Sequence, residues 1–72
     1  MKYKYIEITK EKDFFGDIWY LIKNNKSGKR LGTIDYEERW KQWVFMPGRG
    51  CIFSWDCLRD IIDFIKNHIT EE

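Results

Sequence analysis

A length of 72 residues allows one hydrophobic core and excludes a second domain or a large buried cavity. Aromatic residues make up 18% of the chain, and the 13 basic and 12 acidic residues nearly cancel, which excludes a disordered chain. The net charge of +1 gives no overall attraction to nucleic acid or to a membrane surface. Composition therefore predicts one small folded domain over residues 1–72.

The distribution of charge predicts the character of the protein surface, and the cysteine content predicts the cellular compartment. Residues 1–50 hold 11 Lys and Arg against 7 Asp and Glu, whereas residues 51–72 hold 2 against 5. We therefore expect a mildly basic part and an acidic part of the domain. Two cysteines are too few for a disulfide framework, and we expect neither a signal segment nor a membrane span of ~20 apolar residues. These features predict a cytoplasmic protein.

The first strand-like segment is residues 2–10, in which polar and apolar side chains alternate. The phase of the alternation changes at Tyr5 and Ile6, which indicates either a bulge or a sheet that is covered on both faces. A polar loop follows, and it contains Phe14 and Phe15. We expect these two rings to tuck under the edge of the sheet.

Three further segments have strand character. Residues 18–22 form a continuous apolar run, and residues 31–36 alternate after a turn rich in Asn and Gly, which predicts a hairpin. Residues 40–46 form the next strand, which Pro47 must end because proline lacks an N–H for the ladder. Residues 51–53 are a candidate for a short fifth strand.

A helix is predicted for residues 55–69, with Ser54 at the N-cap position. Apolar residues recur there at steps of three and four, which is typical of an amphipathic helix. This stripe consists of Leu58, Ile61, Ile62, Ile65 and Ile69, with Phe64 at its margin. The predicted fold class is therefore α+β, an antiparallel meander of four or five strands over about residues 2–53, packed by one C-terminal α-helix.

The residues needed for catalysis or metal binding are too few. A Ser–His–acid site needs a histidine beside a nucleophile. The one histidine, His68, is expected in the last helical turn, where its protonated ring interacts favourably with the negative end of the helix dipole. A structural zinc site needs four ligands, and Cys51, Cys57 and His68 supply three. The alternative is a zinc site shared between the two copies of a dimer. We interpret Cys57 as a small core residue, although a helix N-terminus could activate its thiol. We expect no enzyme, no metal and no cofactor.

Residues 39–43 interleave cations with aromatic rings, a pattern that can anchor a protein interface or stack bases. One helix covers one face of a sheet, so several rings should remain on the open face unless the sheet curls and the loops cover it. The rings in question are Trp19, Trp40, Trp43, Tyr3, Tyr5 and Tyr36. The candidate partner-binding residues are Arg39, Trp40, Lys41, Trp43 and Arg49.

Two alternative functions stay open. In the first, the same aromatic rings stack nucleic-acid bases or a nucleotide, and Lys26, Lys29 and Arg30 hold phosphates. The glycine-containing turns that carry these cations lack the spacing of a nucleotide-binding loop. In the second, two copies cover each other's apolar surface in a structural homodimer.

A longer pattern resembles a family of short uncharacterised proteins of bacteriophages and mobile elements over about residues 17–69. The pattern combines 31–36, Trp40, 41–47, the pair Cys57-Leu58 and 60–65. The resemblance implies no activity, cofactor or site residue. It implies a phage setting, in which a small non-enzymatic protein acts in the host cytoplasm by occupying a host protein, such as a defence or nucleic-acid enzyme, or that protein's ligand.

Overall fold

The computed structural model describes residues 1–69 as a four-stranded antiparallel sheet followed by one helix. The strands pair with their chain neighbours in the order β1-β2-β3-β4, so the sheet is a meander. This arrangement confirms the predicted α+β class. The elements are β1 (Ile6–Lys12), β2 (Ile18–Asn24), β3 (Arg30–Glu37), β4 (Gln42–Pro47), α1 (Trp55–Phe64) and a π-helical turn (Ile65–Ile69).

The chain before β1 folds back along that strand. The Ile8 N–H donates to the Met1 carbonyl at 2.8 Å, and the Tyr3 N–H donates to the Ile6 carbonyl at 2.8 Å. The side-chain amide of Asn25 donates to the Tyr3 carbonyl and so fastens this segment to the end of β2. The change of phase in the sequence therefore marks a tight turn, and the prediction of one strand over residues 2–10 was wrong at its start.

The loop between β1 and β2 leaves its two phenylalanines in solvent. The Asp13 carboxylate accepts hydrogen bonds of 2.9 Å from the N–H groups of Phe15 and Asp17, which closes a tight turn. The rings of Phe14 and Phe15 touch edge to face at 5.4 Å and are 95% and 85% exposed. The prediction that they tuck under the sheet was wrong, because the closed turn directs both rings away from it.

The segment after β4 forms no fifth strand. The Gly48 N–H donates to the Leu31 carbonyl at 2.7 Å, which extends the contact with β3 by one residue beyond Pro47. Gly50 then adopts a φ of 73°, a left-handed conformation that turns the chain away from the sheet. Residues 51–53 connect β4 to α1 without strand pairing, so the candidate fifth strand was wrong.

The core lies between one face of the sheet and the helix. Successive strand residues point to opposite faces, so the buried isoleucines at even positions define the face that α1 covers. On this alternation, Trp19 is the aromatic residue that the four strands place on the opposite, open face. The core residues are Ile6, Ile8, Tyr20, Ile22, Ile34, Ile61, Phe64 and Ile69.

The helix begins as predicted but presents a different face to the sheet. The Cys57 N–H donates to the Ser54 hydroxyl at 3.3 Å, which confirms the N-cap. Phe64 is buried and packs edge to face on Tyr20 at 5.1 Å, whereas Leu58 and Ile62 are exposed. The helix is therefore rotated about its axis from the predicted stripe, because the large Phe64 ring occupies the space over the sheet.

The last turn of the helix is wider than an α-helical turn. A π-helix hydrogen-bonds residue i to residue i+5, so residues five apart lie on one face. Ile69 follows Phe64 by five positions, and both side chains are buried. The prediction of helix up to Ile69 was therefore right in extent, and the π-helical geometry keeps Ile69 in the core.

The sheet splits into two hairpins at one end. Pairing of β2 with β3 stops at Tyr20 and Ile34, while β1 and β2 stay paired as far as Ile18 and β3 and β4 as far as Glu37. The two hairpins therefore separate beyond Tyr20 and Ile34. We call this opening the fork.

Candidate functional sites

The turn between β3 and β4 carries three of the predicted partner-binding residues. Trp40 lies in this turn and is exposed, and Lys41 closes it with a positive φ of 53°. The Arg39 guanidinium donates to Glu37 Oε2 at 3.0 Å, and the Arg39 backbone N–H donates to the same oxygen at 3.1 Å. These two bonds hold the pKa of the Glu37 carboxyl below its ordinary value. Both Arg39 and Lys41 are exposed beside the indole.

The other two predicted residues lie elsewhere. Trp43 is half-buried on the helix side of the sheet, where its ring meets Tyr20 at 5.7 Å and Tyr36 at 5.6 Å. Arg49 follows the far end of β4, a six-residue strand that spans roughly 20 Å. The structure therefore brings together Arg39, Trp40 and Lys41, and separates them from Arg49.

Arg49 lies instead at the end of the sheet that holds the cations of the nucleic-acid alternative. Gly48 bonds to Leu31, and the Cys51 thiol contacts the Arg30 carbonyl at 3.8 Å, so the loop at 48–50 abuts the start of β3. Neither this loop nor the β2–β3 turn contains an acidic residue. We call this surface the basic end: Lys26, Lys29, Arg30 and Arg49.

A second apolar surface lies on the outward side of α1, and the sequence prediction missed it. We call this surface the helix face: Ile52, Trp55, Leu58 and Ile62. Ile52 is 93% exposed, Trp55 68% and Ile62 56%. Trp55, Leu58 and Ile62 stand at positions i, i+3 and i+7, so they form one row along the helix. This spacing is the sequence signal that could have identified the surface.

Charged residues border the helix face. Asp56, Asp60 and Asp63 follow one another at steps of four and three, which places them on a single flank of α1. The Arg59 guanidinium lies 4.6 Å from the centre of the Trp55 ring and 3.3 Å from the Asp56 carboxylate. The helix face is thus an apolar row with an acidic flank and a cation held over its tryptophan.

The polar residues considered for chemistry are dispersed. Cys51 and Cys57 are both free thiols, and Cys57 packs against the edge of the core. His68 Nε2 lies 4.0 Å from Asp63 Oδ2, and its ring contacts Phe64. Within residues 1–69, no three His, Cys, Asp or Glu side chains are close enough to hold a metal ion.

Among residues 1–69, no helix has the length and apolar character needed to cross a bilayer. The resemblance to short phage proteins stays a prediction. No protein-family model, no curated protein and no solved structure matches the chain.

Proposed function

We propose that this chain is a small non-catalytic binding protein that docks a protein partner through its helix face. The observation that carries the proposal is the row of exposed Trp55, Leu58 and Ile62 on α1, preceded by the exposed Ile52 in the connector to the helix. Contiguous exposed apolar surface is uncommon on monomers and usually marks an interaction site. We place the interface here and not on the open sheet face, where Trp19 is the one aromatic residue contributed by the four described strands.

The helix face has the composition of an interface centre. Tryptophan is among the residues that contribute most to binding when buried by a partner, and aliphatic neighbours exclude water around it. Anchors at i, i+3 and i+7 are also the pattern by which a helix enters an apolar groove of another protein. Trp55 is therefore the central anchor, with Leu58 and Ile62 as its neighbours along the helix.

The acidic flank indicates the chemistry of the partner. Asp56, Asp60 and Asp63 lie together on one side of the apolar row, and Arg59 is the cation among them. A groove bordered by Lys or Arg on that side complements these carboxylates, whereas an acidic border repels them. We infer a partner with an apolar groove and a basic rim. The predicted phage setting makes a cytoplasmic host protein the expected source.

The experiment compares three variants in a pull-down from bacterial lysate, followed by binding measurements with the recovered protein. Trp55→Ala and Asp60→Lys should weaken binding of that protein, the first about tenfold or more, because truncating an anchor costs about 2 kcal/mol or more. Trp40→Ala is the matched control, since it removes an equally exposed indole from the β3–β4 turn. Circular dichroism checks that all three variants remain folded.

Two results contradict this assignment. Loss of binding with Trp40→Ala but not with Trp55→Ala moves the interface to the turn that contains Arg39 and Lys41, the surface predicted from the sequence. A concentration-dependent dimer in sedimentation that Trp55→Ala dissociates makes the helix face a contact between two copies.

The basic end supports a second candidate, nucleic-acid binding. Lys26 and Lys29 lie in the β2–β3 turn, Arg30 begins β3, and Arg49 lies in the adjoining loop at 48–50. Neither the turn nor the loop contains an acidic residue. Phosphate contacts release counterions, so affinity for an oligonucleotide should fall steeply as salt rises. The helix-face interface, with its apolar centre, should weaken less. No oligonucleotide binding at low ionic strength removes this candidate.

A further inference from the structure

The fork contains a cleft that the proposed helix-face interface does not use, and Trp43, a predicted partner-binding residue, is part of its lining. Its volume is about 490 Å³, within the range of roughly 300–1,000 Å³ of small-ligand sites. Ile18 and Trp19 line it from one hairpin, and Asp35 and Tyr36 line it from the other. The cleft exists because the pairing of β2 with β3 ends before these residues.

The cleft is aromatic on both sides. Trp19 stands on the β1–β2 hairpin, while Tyr36 and Trp43 stand on the β3–β4 hairpin and contact each other edge to face at 5.6 Å. The faces of aromatic rings carry negative charge density and attract organic cations. The aromatic walls therefore favour a cation that has an apolar body.

Four carboxylates share the cleft with these rings. They are Asp13, Asp17, Asp35 and Glu38. Asp13 accepts the two backbone bonds of its turn, and Asp35 accepts the Thr33 hydroxyl at 2.7 Å. No ion pair with Lys, Arg or His involves any of the four within residues 1–69, and no such cation lines the cleft there. The residues that line the cleft therefore carry a net negative charge.

We propose that the fork binds an alkylammonium group, with its charge held by the carboxylates that line the cleft and its methylene groups against the aromatic residues Trp19, Tyr36 and Trp43. The aromatic walls suit an organic cation better than a strongly hydrated metal ion. The proposal is independent of the helix face, which lies on α1.

The test is a titration followed by NMR of the four indole N–H signals. Butylammonium should shift the signals of Trp19 and Trp43 saturably, while those of Trp40 and Trp55 stay in place, because the latter two lie outside the cleft. Butanol, a neutral molecule of similar size, should not saturate. Added salt should weaken the butylammonium effect, because exposed charges are screened.

Matched variants separate charge from folding. Asp35→Asn keeps an oxygen that can accept the Thr33 hydroxyl, and Glu38→Gln changes an exposed side chain, so both should fold. Each should weaken butylammonium binding several-fold, whereas Asp56→Asn on the helix should leave the affinity unchanged. Equal responses to butylammonium and butanol, or no saturable shift of Trp19 and Trp43, overturns the proposal.

Two further ligands identify the source of the ammonium group. Tighter binding of a linear diamine than of a blocked lysine peptide indicates a small-molecule ligand. The reverse order indicates a lysine side chain presented by a protein. Both results support the alkylammonium site, and a blocked norleucine peptide serves as the neutral control.

Discussion

The hydroxyl of Tyr3 donates a 3.0 Å hydrogen bond to Asp63 Oδ2, across 60 positions of the chain. This bond ties the segment that folds back on β1 to the C-terminal part of α1. Burial raises the pKa of Tyr3 above its ordinary value of 10.0, and the hydrogen bond and charge of Asp63 raise it further. The neutral phenol is therefore the form that the folded protein stabilises.

Replacing Tyr3 with Phe should lower stability at neutral pH and change its pH dependence. Loss of the hydrogen bond should cost about 1 kcal/mol. Because the folded state holds the Tyr3 proton more tightly than the unfolded state, its contribution is complete below pH 10.0 and declines as the pH rises above that value. Urea unfolding should show a steeper alkaline decline for the wild type than for Tyr3→Phe. Identical alkaline profiles contradict this account, and Tyr5→Phe is the exposed control.

Neighbouring isoleucines test the rotation of the helix. Ile61 is 2% exposed, whereas Ile62 points outward. Ile61→Ala should lower the free energy of unfolding by about 2–5 kcal/mol, because it leaves a cavity in the core. Ile62→Ala should change it by only about 0.5 kcal/mol. Chemical denaturation of both variants measures the difference, and equal losses would support the stripe predicted from the sequence.

Lys41 adopts a left-handed conformation that costs a residue with a Cβ roughly 1–2 kcal/mol. Lys41→Gly should therefore raise the free energy of unfolding by about 1 kcal/mol. Lys41→Ala removes the same charge but keeps the Cβ, so it should not stabilise. A thermal melt compares the two variants, and equal melting temperatures indicate that the strain is absent.

Gly32 lies in β3 opposite Pro47 of β4. An added Cβ would lie 2.6 Å from the Met46 carbonyl oxygen and 3.2 Å from the Pro47 Cα, so the β4 backbone must move. Gly32→Ala should destabilise the domain by about 1–3 kcal/mol, although alanine is the better residue in an open strand. Urea denaturation tests this prediction. An unchanged midpoint would show that the β4 backbone shifts without loss of stability.

The sequence predicted those features of the fold that depend on residues close together in the chain. Alternation marked β1 and β3, a continuous apolar run marked β2, Pro47 marked the end of β4, and Ser54 marked the helix start. The failures concern contacts between distant residues. The fold-back before β1 depends on Asn25, and the rotation of α1 depends on the packing of Phe64 against Tyr20, and neither pairing is visible as a local pattern.

The candidate sites were predicted only in part for the same reason. The interleaved pattern at residues 39–43 found the exposed Trp40, but it could not show that Trp43 turns inward between Tyr20 and Tyr36. The helix face was missed because Leu58 and Ile62 fit an inward stripe equally well. The fork depends on where strand pairing stops, and composition does not encode that point.

The fold-back before β1 also affects how copies of this protein can aggregate. An unpaired outer strand offers main-chain groups to which another chain can add. Backbone bonds to Met1 and Tyr3 already occupy β1 at Ile6 and Ile8, so growth of a cross-chain ladder there is obstructed. Such growth is directed to β4, a six-residue strand that ends in a proline without an N–H.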